Sequence, residues 1–162
     1  MKIPAAITLL MVGAALAQQP SSTQVLWWSG SWDGAFAEAK TRNVPVLVVF
    51  IQDGEEANER IVTGTFRDPE YVKMTHRCVP IVVSLQFHGL KKDETGGVVR
   101  AVCTKFGSTT CEAHQNLETP ARVELCGTDV QTPQHVLVLP DKTIVARIID
   151  VAPVSGYQEM VA

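Results

Sequence analysis

The sequence predicts an α/β domain whose strands are covered on both faces, and three observations carry that expectation. Val44–Phe50, VPVLVVF, is apolar apart from Pro45, the pattern of a strand buried on both faces rather than of an alternating, half-exposed one. Just upstream, Ser31 is placed to cap a helix in which Trp32, Phe36 and Ala39 form a single apolar stripe before Asn43 closes it. Downstream, Cys78–Leu85, CVPIVVSL, repeats the buried-strand pattern.

In chain order, Lys2, a short apolar run and Ala15-Leu16-Ala17 before Gln18 read as a secretory leader over residues 1–17, with an uncleaved N-terminal anchor as the alternative. Residues 18–26 read as a linker and residues 27–162 as one domain, long enough to bury a core without disulfides. After the first strand comes an acidic loop, then a helix over Glu55–Val62 that buries Ala57, Ile61 and Val62 and stops at Gly64. Asp68-Pro69 starts another helix, with the aspartate as cap and the proline where its missing N–H does no harm. Beyond the second strand, Gly89–Gly97 reads as a polar loop. Val98–Phe106 reads as a helix with Val99, Val102, Cys103 and Phe106 on its apolar face, ended by Gly107. Ser108–Gln131 lacks apolar periodicity and reads as a long polar loop, a feature that usually means function, disorder or a staple. His135–Leu139 and Thr143–Ile149 bracket Pro140-Asp141-Lys142 as a β-hairpin, and Ser155 caps a short final helix.

The run WSGSWDGAFAEAKTRNVPVLVVF resembles the opening of thioredoxin-like domains, especially secreted ones, and the match extends over roughly Trp27 to Asp150. The resemblance implies a three-layer sandwich, a central mixed β-sheet flanked by helices. In that family a CxxC dithiol begins five residues after the phenylalanine that ends the strand, so Phe50 places it on Glu55-Glu56-Ala57-Asn58. Both cysteine positions are therefore replaced, by Glu55 and Asn58. Thr132-Pro133 looks like the cis-proline that these domains set opposite the dithiol, with His135 bordering the same face. Measured against the family, residues 108–131 form an insertion bearing cysteine and histidine.

Four cysteines, Cys78, Cys103, Cys111 and Cys126, all follow the leader and would meet an oxidising compartment, secreted or periplasmic. Cys103, Cys111, His114 and Cys126 are spaced C-x7-C-x2-H-x11-C, a chemically complete tetrahedral set for zinc or copper(I), although without the close Cys-x2-Cys knuckle of typical zinc sites. The competing account is a structural disulfide, most simply Cys111–Cys126, contributing roughly 3 kcal/mol by loop closure; free thiols are a third state. Cys78 and Cys103 also read as small buried hydrophobes. A sharper alternative makes Cys111 a reactive thiol beside the cis-proline with His114 lowering its pKa, against the opposition of Glu112 and Glu118.

Asp53, Glu55, Glu56 and Glu59 read either as a carboxylate site or as first-turn acids favoured by a helix dipole. His76 and His88 read as isolated loop residues in solvent, and His135 as an ordinary strand-end histidine or a site residue. Loss of Lys2 with the leader leaves 13 basic against 17 acidic side chains and moves the formal charge from −3 to −4. With no basic run, a nucleic-acid partner is not expected, and no second apolar segment approaches membrane-spanning length. The expectation is a non-catalytic exported binding or adaptor domain, or a metal-binding one, meeting an exported protein partner. The alternatives are a thiol–disulfide oxidoreductase using displaced cysteines and a purely structural accessory domain.

Overall fold

A computed structural model describes residues 23–94 and 99–162. The expected leader and residues 18–22 of the expected linker lie outside the described residues, as do Gly96-Gly97. The chain runs α1 (Trp32–Arg42), β1 (Val46–Phe50), α2 (Glu56–Thr63), a 3-10 turn (Thr65–Arg67), α3 (Pro69–Thr75), β2 (Val79–Val83), β3 (Leu90–Asp93), β4 (Arg100–Cys103), α4 (Cys111–Leu125), β5 (Gln134–Val138), β6 (Ile144–Ile149) and α5 (Val154–Val161). The main sheet has the order β2-β1-β5-β6, with β1 parallel to β2 and antiparallel to β5, and β5 antiparallel to β6.

Successive side chains of β1 point to opposite faces, and both faces are filled. Val46, Val48 and Phe50 pack with Trp32, Phe36 and Ala39 of α1 and Leu117, Ala121 and Leu125 of α4. Leu47 and Val49 pack with Ile61 and Val62 of α2, Tyr71, Val72 and Met74 of α3 and Tyr157 of α5. Helices thus cover the sheet from both sides in three layers. Burial of each such side chain contributes about 1.5–3 kcal/mol, which is why β1, buried at every position, anchors the domain.

The helix starts follow their caps. Ser31 Oγ accepts the Gly34 N–H at 3.1 Å, and Asn43 closes α1 in the left-handed region at φ 52°. Asp68 Oδ1 accepts from the N–H groups of Glu70 and Tyr71 at 2.8 and 3.2 Å. The last helix departs from expectation: it begins at Val154 behind Pro153, which leaves Ser155 inside it.

Two larger corrections concern the region between β2 and β5. Where a helix is expected over Val98–Phe106, the chain makes β4, paired antiparallel with β3 from Leu90↔Cys103 to Asp93↔Arg100. The apolar spacing fits a helix, but Val102 is β-branched and the hairpin pairs it with Lys91 of β3. Ser108–Gln131 is not a structureless loop, because α4 occupies Cys111–Leu125. Thr110 caps it, its hydroxyl accepting the Ala113 N–H at 3.0 Å. The buried stripe of α4 is Cys111, His114, Leu117, Glu118, Ala121 and Leu125, so two polar residues break the apolar period, and Pro120 stands inside the helix. Glu118 is paired with Arg122 at 2.5 Å.

His135 is fully buried between α3 and α5, where its Nε2 meets the Tyr71 hydroxyl at 2.9 Å and its ring lies 4.3 Å from that of Tyr157. Burial pushes its pKa down from 6.5 to about 3. The folded state therefore binds fewer protons than the unfolded chain between these values, and stability present above pH 6.5 is lost as pH falls towards 3. Denaturant titrations are expected to show His135 contributing a slope of about 1.4 kcal/mol per pH unit between pH 6 and 5. His135→Gln removes that contribution, and an unchanged slope in the variant would contradict the assignment.

Candidate functional site

The loop that follows β1 sends side chains in two directions. Towards β5, Glu55 and Asn58 occupy the start of α2 and meet the segment Thr132-Pro133, whose peptide bond is cis. Asn58 is fully buried; its Nδ2 donates to Glu55 Oε2 at 2.7 Å and its Oδ1 accepts the Gln52 N–H at 3.0 Å. The Thr132 hydroxyl donates to the same Glu55 oxygen at 3.2 Å. Where the resemblance places a dithiol, this chain therefore has a carboxylate–amide–hydroxyl network. It holds α2 against the Thr132 segment, and its Glu, Asn and Thr groups supply no thiol.

Away from β5, the same loop reaches a second cluster. His88 lies between β2 and β3, Cys103 ends β4, and Cys111 and His114 stand three residues apart in the first turn of α4, on one helical face. One ligand atom from each of these four residues lies within 4.8 Å of all the others. His88 Nδ1 is 3.4 Å from Cys103 Sγ, and the His88 backbone N–H donates to Cys111 Sγ at 3.5 Å. Gly89, at φ 80°, turns the chain from His88 into β3, and its carbonyl accepts from the Thr104 N–H at 3.1 Å. The Phe106 ring lies 5.0 Å from each of the two imidazoles and walls off the cluster.

Hydrogen bonding decides which nitrogen of each imidazole carries its proton. His114 Nδ1 lies 2.8 Å from the Ser84 carbonyl, an acceptor only, so Nδ1 bears the hydrogen and donates it. Its Nε2 is then a bare lone pair, and this buried atom has no hydrogen-bond partner among the described residues. Burial lowers the His114 pKa below its usual value, against the Ser84 carbonyl, which raises it; the ring is neutral near pH 7. His88 Nε2 lies 3.1 Å from an Asp53 carboxylate oxygen, so Nε2 donates outward and Nδ1 is the ring nitrogen that faces Cys103 Sγ. Asp53 is itself held by Lys105 Nζ at 2.5 Å, and Lys105 by Glu59 of α2 at 2.5 Å. Burial works to raise the Asp53 carboxyl, but Lys105 and His88 outweigh it and leave it below the usual range. Burial also raises the Cys103 thiol.

Three of the four residues expected as metal ligands, Cys103, Cys111 and His114, are thus together. Cys126 is not: it caps the far end of α4, 3.3 Å from Gln134 Oε1. A helix from Cys111 to Cys126 separates their backbones by about 22 Å, whereas a disulfide needs Cα atoms about 4.4–6.8 Å apart. Cys111–Cys126 is therefore excluded, and all four cysteines are free thiols here. His88 replaces Cys126 in the cluster and is not the solvated loop residue expected, its side chain being 6% exposed. The usable signal was the full spacing H-x14-C-x7-C-x2-H, which takes meaning only once the hairpin is seen to bring its ends together. Cys111 faces Gly89 and His88 rather than the Thr132 segment, and Cys78 is buried, as the small-hydrophobe reading has it, with its Sγ on the Thr75 carbonyl. Among the described residues, no helix is long and apolar enough to cross a membrane.

No family model matches the chain, and no curated protein matches it. Solved structures do. An oxidoreductase called DsbH superposes with a TM-score of 0.56 at 14% identity, over 92% of this chain and 91% of that one. A thioredoxin from Thermus thermophilus superposes with a TM-score of 0.51 at 16% identity, over 85% of each chain. At such identities the likeness concerns the fold alone. The mixed four-stranded sheet, its helices on both faces and these two neighbours establish that the chain has a thioredoxin-like α/β fold.

Proposed function

We propose that this protein is an exported, non-catalytic thioredoxin-like domain that holds one zinc ion through His88, Cys103, Cys111 and His114. The observation that carries the reading is the buried, unpartnered His114 Nε2, a lone pair set in the same cluster as two thiols and a second imidazole lone pair. An orphaned buried acceptor costs about 1–3 kcal/mol, and a metal ion satisfies it.

The donor set fits zinc in number, type and size. Zinc–sulfur bonds near 2.3 Å and zinc–nitrogen bonds near 2.0–2.1 Å give a tetrahedron with edges of about 3.3–3.8 Å. The His88 Nδ1–Cys103 Sγ separation of 3.4 Å is already such an edge. No pair exceeds 4.8 Å, so closure needs a contraction of about 1 Å. Both imidazoles have their outer N–H oriented, by Asp53 and by the Ser84 carbonyl, which is the usual support of metal-bound histidine. Charge favours zinc over copper(I): a dication with two thiolates is neutral, whereas a monocation would leave a net negative charge in a buried site already faced by Asp53.

Four protein ligands leave no open position for a substrate, which marks a structural centre rather than a catalytic one. The ion would fasten the His88 loop, the β3–β4 hairpin and the start of α4 to one another. A two-stranded hairpin is marginal alone, and β3 is mostly exposed. The burial of Cys111 and Cys103 weighs against the oxidoreductase alternative, since a nucleophilic thiol needs access. Export rests on the leader pattern. The Glu55–Thr132 face, fixed by its hydrogen bonds, is the surface offered to an exported protein partner.

Gently purified protein is expected to carry one zinc per chain by elemental analysis, with His88→Ala and His114→Ala each losing most of it and Cys126→Ser retaining it. Zinc retained by His114→Ala, or protein with negligible zinc, copper and iron, would refute the site; copper in place of zinc would refute the charge argument. Chelation is expected to lower the Tm of the parent protein but not that of His114→Ala. Separately, Asn58→Ala strands the Gln52 N–H and one Glu55 bond and is expected to cost about 1–3 kcal/mol in denaturant titration. A cost near zero would show that the network does not hold α2 in place.

A further inference from the structure

The zinc ligands include two thiols whose sulfur atoms lie within 4.8 Å of each other, in a chain whose leader pattern points to an oxidising compartment. We infer that Cys103 and Cys111 form a disulfide when the chain folds without metal, so that the site closes in one of two mutually exclusive ways, around zinc or through a sulfur–sulfur bond. This inference rests on the zinc reading for its exclusivity; the choice of cysteine pair stands on geometry alone.

Of the pairs that include a thiol of the cluster, only Cys103 with Cys111 is in reach. Cys126 is at the other end of α4 from Cys111. Cys78 precedes β2, whereas Ser84, which touches His114, follows it, and a five-residue strand separates the two ends by about 17 Å. Cys103 and Cys111 are brought together by β4, a short connection and the first turn of α4, the Cys103 N–H being bonded to the Thr109 carbonyl at 2.7 Å. Both side chains are buried in the finished fold, at 0% and 1% exposure, so the choice is made while the site assembles rather than by attack on the closed domain.

The oxidant is a low-molecular-weight disulfide, R–S–S–R. One cysteine thiolate attacks it, forming a protein–SR mixed disulfide and releasing one RS⁻. The second cysteine then attacks the protein sulfur of that bond, forming the Cys103–Cys111 bond and releasing the second RS⁻. The protein loses two electrons and two thiol protons, and R–S–S–R takes them up to become two R–SH. Zinc blocks the sequence by occupying both thiolates, and the disulfide removes two of the four zinc ligands.

The test is refolding of the reduced, denatured full chain in a buffer of reduced and oxidised glutathione, with and without zinc, followed by acid quench and peptide mapping by mass spectrometry. Without zinc, the expected product lacks two hydrogens and carries a Cys103–Cys111 cross-linked peptide. With zinc at about 100 times its Kd, the equilibrium ratio of disulfide to reduced chain falls about 100-fold. Cys111→Ser is expected to abolish the cross-link, while Cys78→Ser with Cys126→Ser leaves it intact. A cross-link through Cys78 or Cys126, or no cross-link in metal-free protein, overturns the pairing. An undiminished cross-link in zinc overturns the exclusivity. Zinc content of a separately reduced sample distinguishes the two levels: a reduced chain that takes up no zinc ends the metal reading and the exclusivity with it, whereas a zinc-loading chain that never forms the bond ends only this inference.

Discussion

A single hydrogen bond, from His114 Nδ1 to the Ser84 carbonyl, fixes how a buried imidazole faces the cluster at the end of β2. A carbonyl can only accept, so the proton is fixed on Nδ1 and the other nitrogen must present a lone pair to the interior. That interior holds no donor for it among the described residues except the neighbouring cluster of thiols and imidazole. Asp53 imposes the same logic on His88 from the opposite side. Two imidazoles that turn one ring nitrogen inward, beside two thiols, form a donor set whose number and type match a tetrahedral ion.

The sheet and the cluster are joined by the loop after β1. Gln52 anchors Asn58, Asp53 orients His88, and Glu55 ties Asn58 to Thr132. Lys105, held between Asp53 and Glu59, connects the hairpin side of the cluster to α2. On a scaffold whose relatives by resemblance place redox sulfur in this loop, the loop here works through carboxylates and an amide that fix neighbouring parts. The sulfur chemistry is displaced to the β4–α4 junction and enclosed. In the proposed reading, thiols in that position are ligands or a cross-link, both of which would organise structure rather than turn over substrate.

Much of the scaffold was legible because strong, local signals agreed with the final packing. Val46–Phe50 and Val79–Val83 are buried at every position, and the sequence runs that announce them are continuous. Ser31, Asn43 and Asp68 do what their side chains favour at helix ends. α4 was illegible because the face it buries carries His114, whose Nδ1 finds the Ser84 carbonyl only in the tertiary structure, and Glu118, which pairs with Arg122 one turn on, and because Pro120 interrupts the pattern. The hairpin was illegible because four-residue strands with exposed charges have no clear period, so Val98–Phe106 fitted a helix equally well. Residue type singled out Cys103, Cys111 and His114, which do lie together, while placing His88 beside them required knowing that β3 and β4 fold back on each other. Cys126 lies apart from them because closeness along the chain is not closeness across a fifteen-residue helix.

The most direct measurement of the central claim is X-ray absorption at the zinc edge on protein purified without added metal. The account predicts a four-coordinate ion with two sulfur neighbours near 2.3 Å and two imidazole nitrogens near 2.0–2.1 Å. A first shell made only of oxygen and nitrogen, or containing three sulfurs, would contradict it.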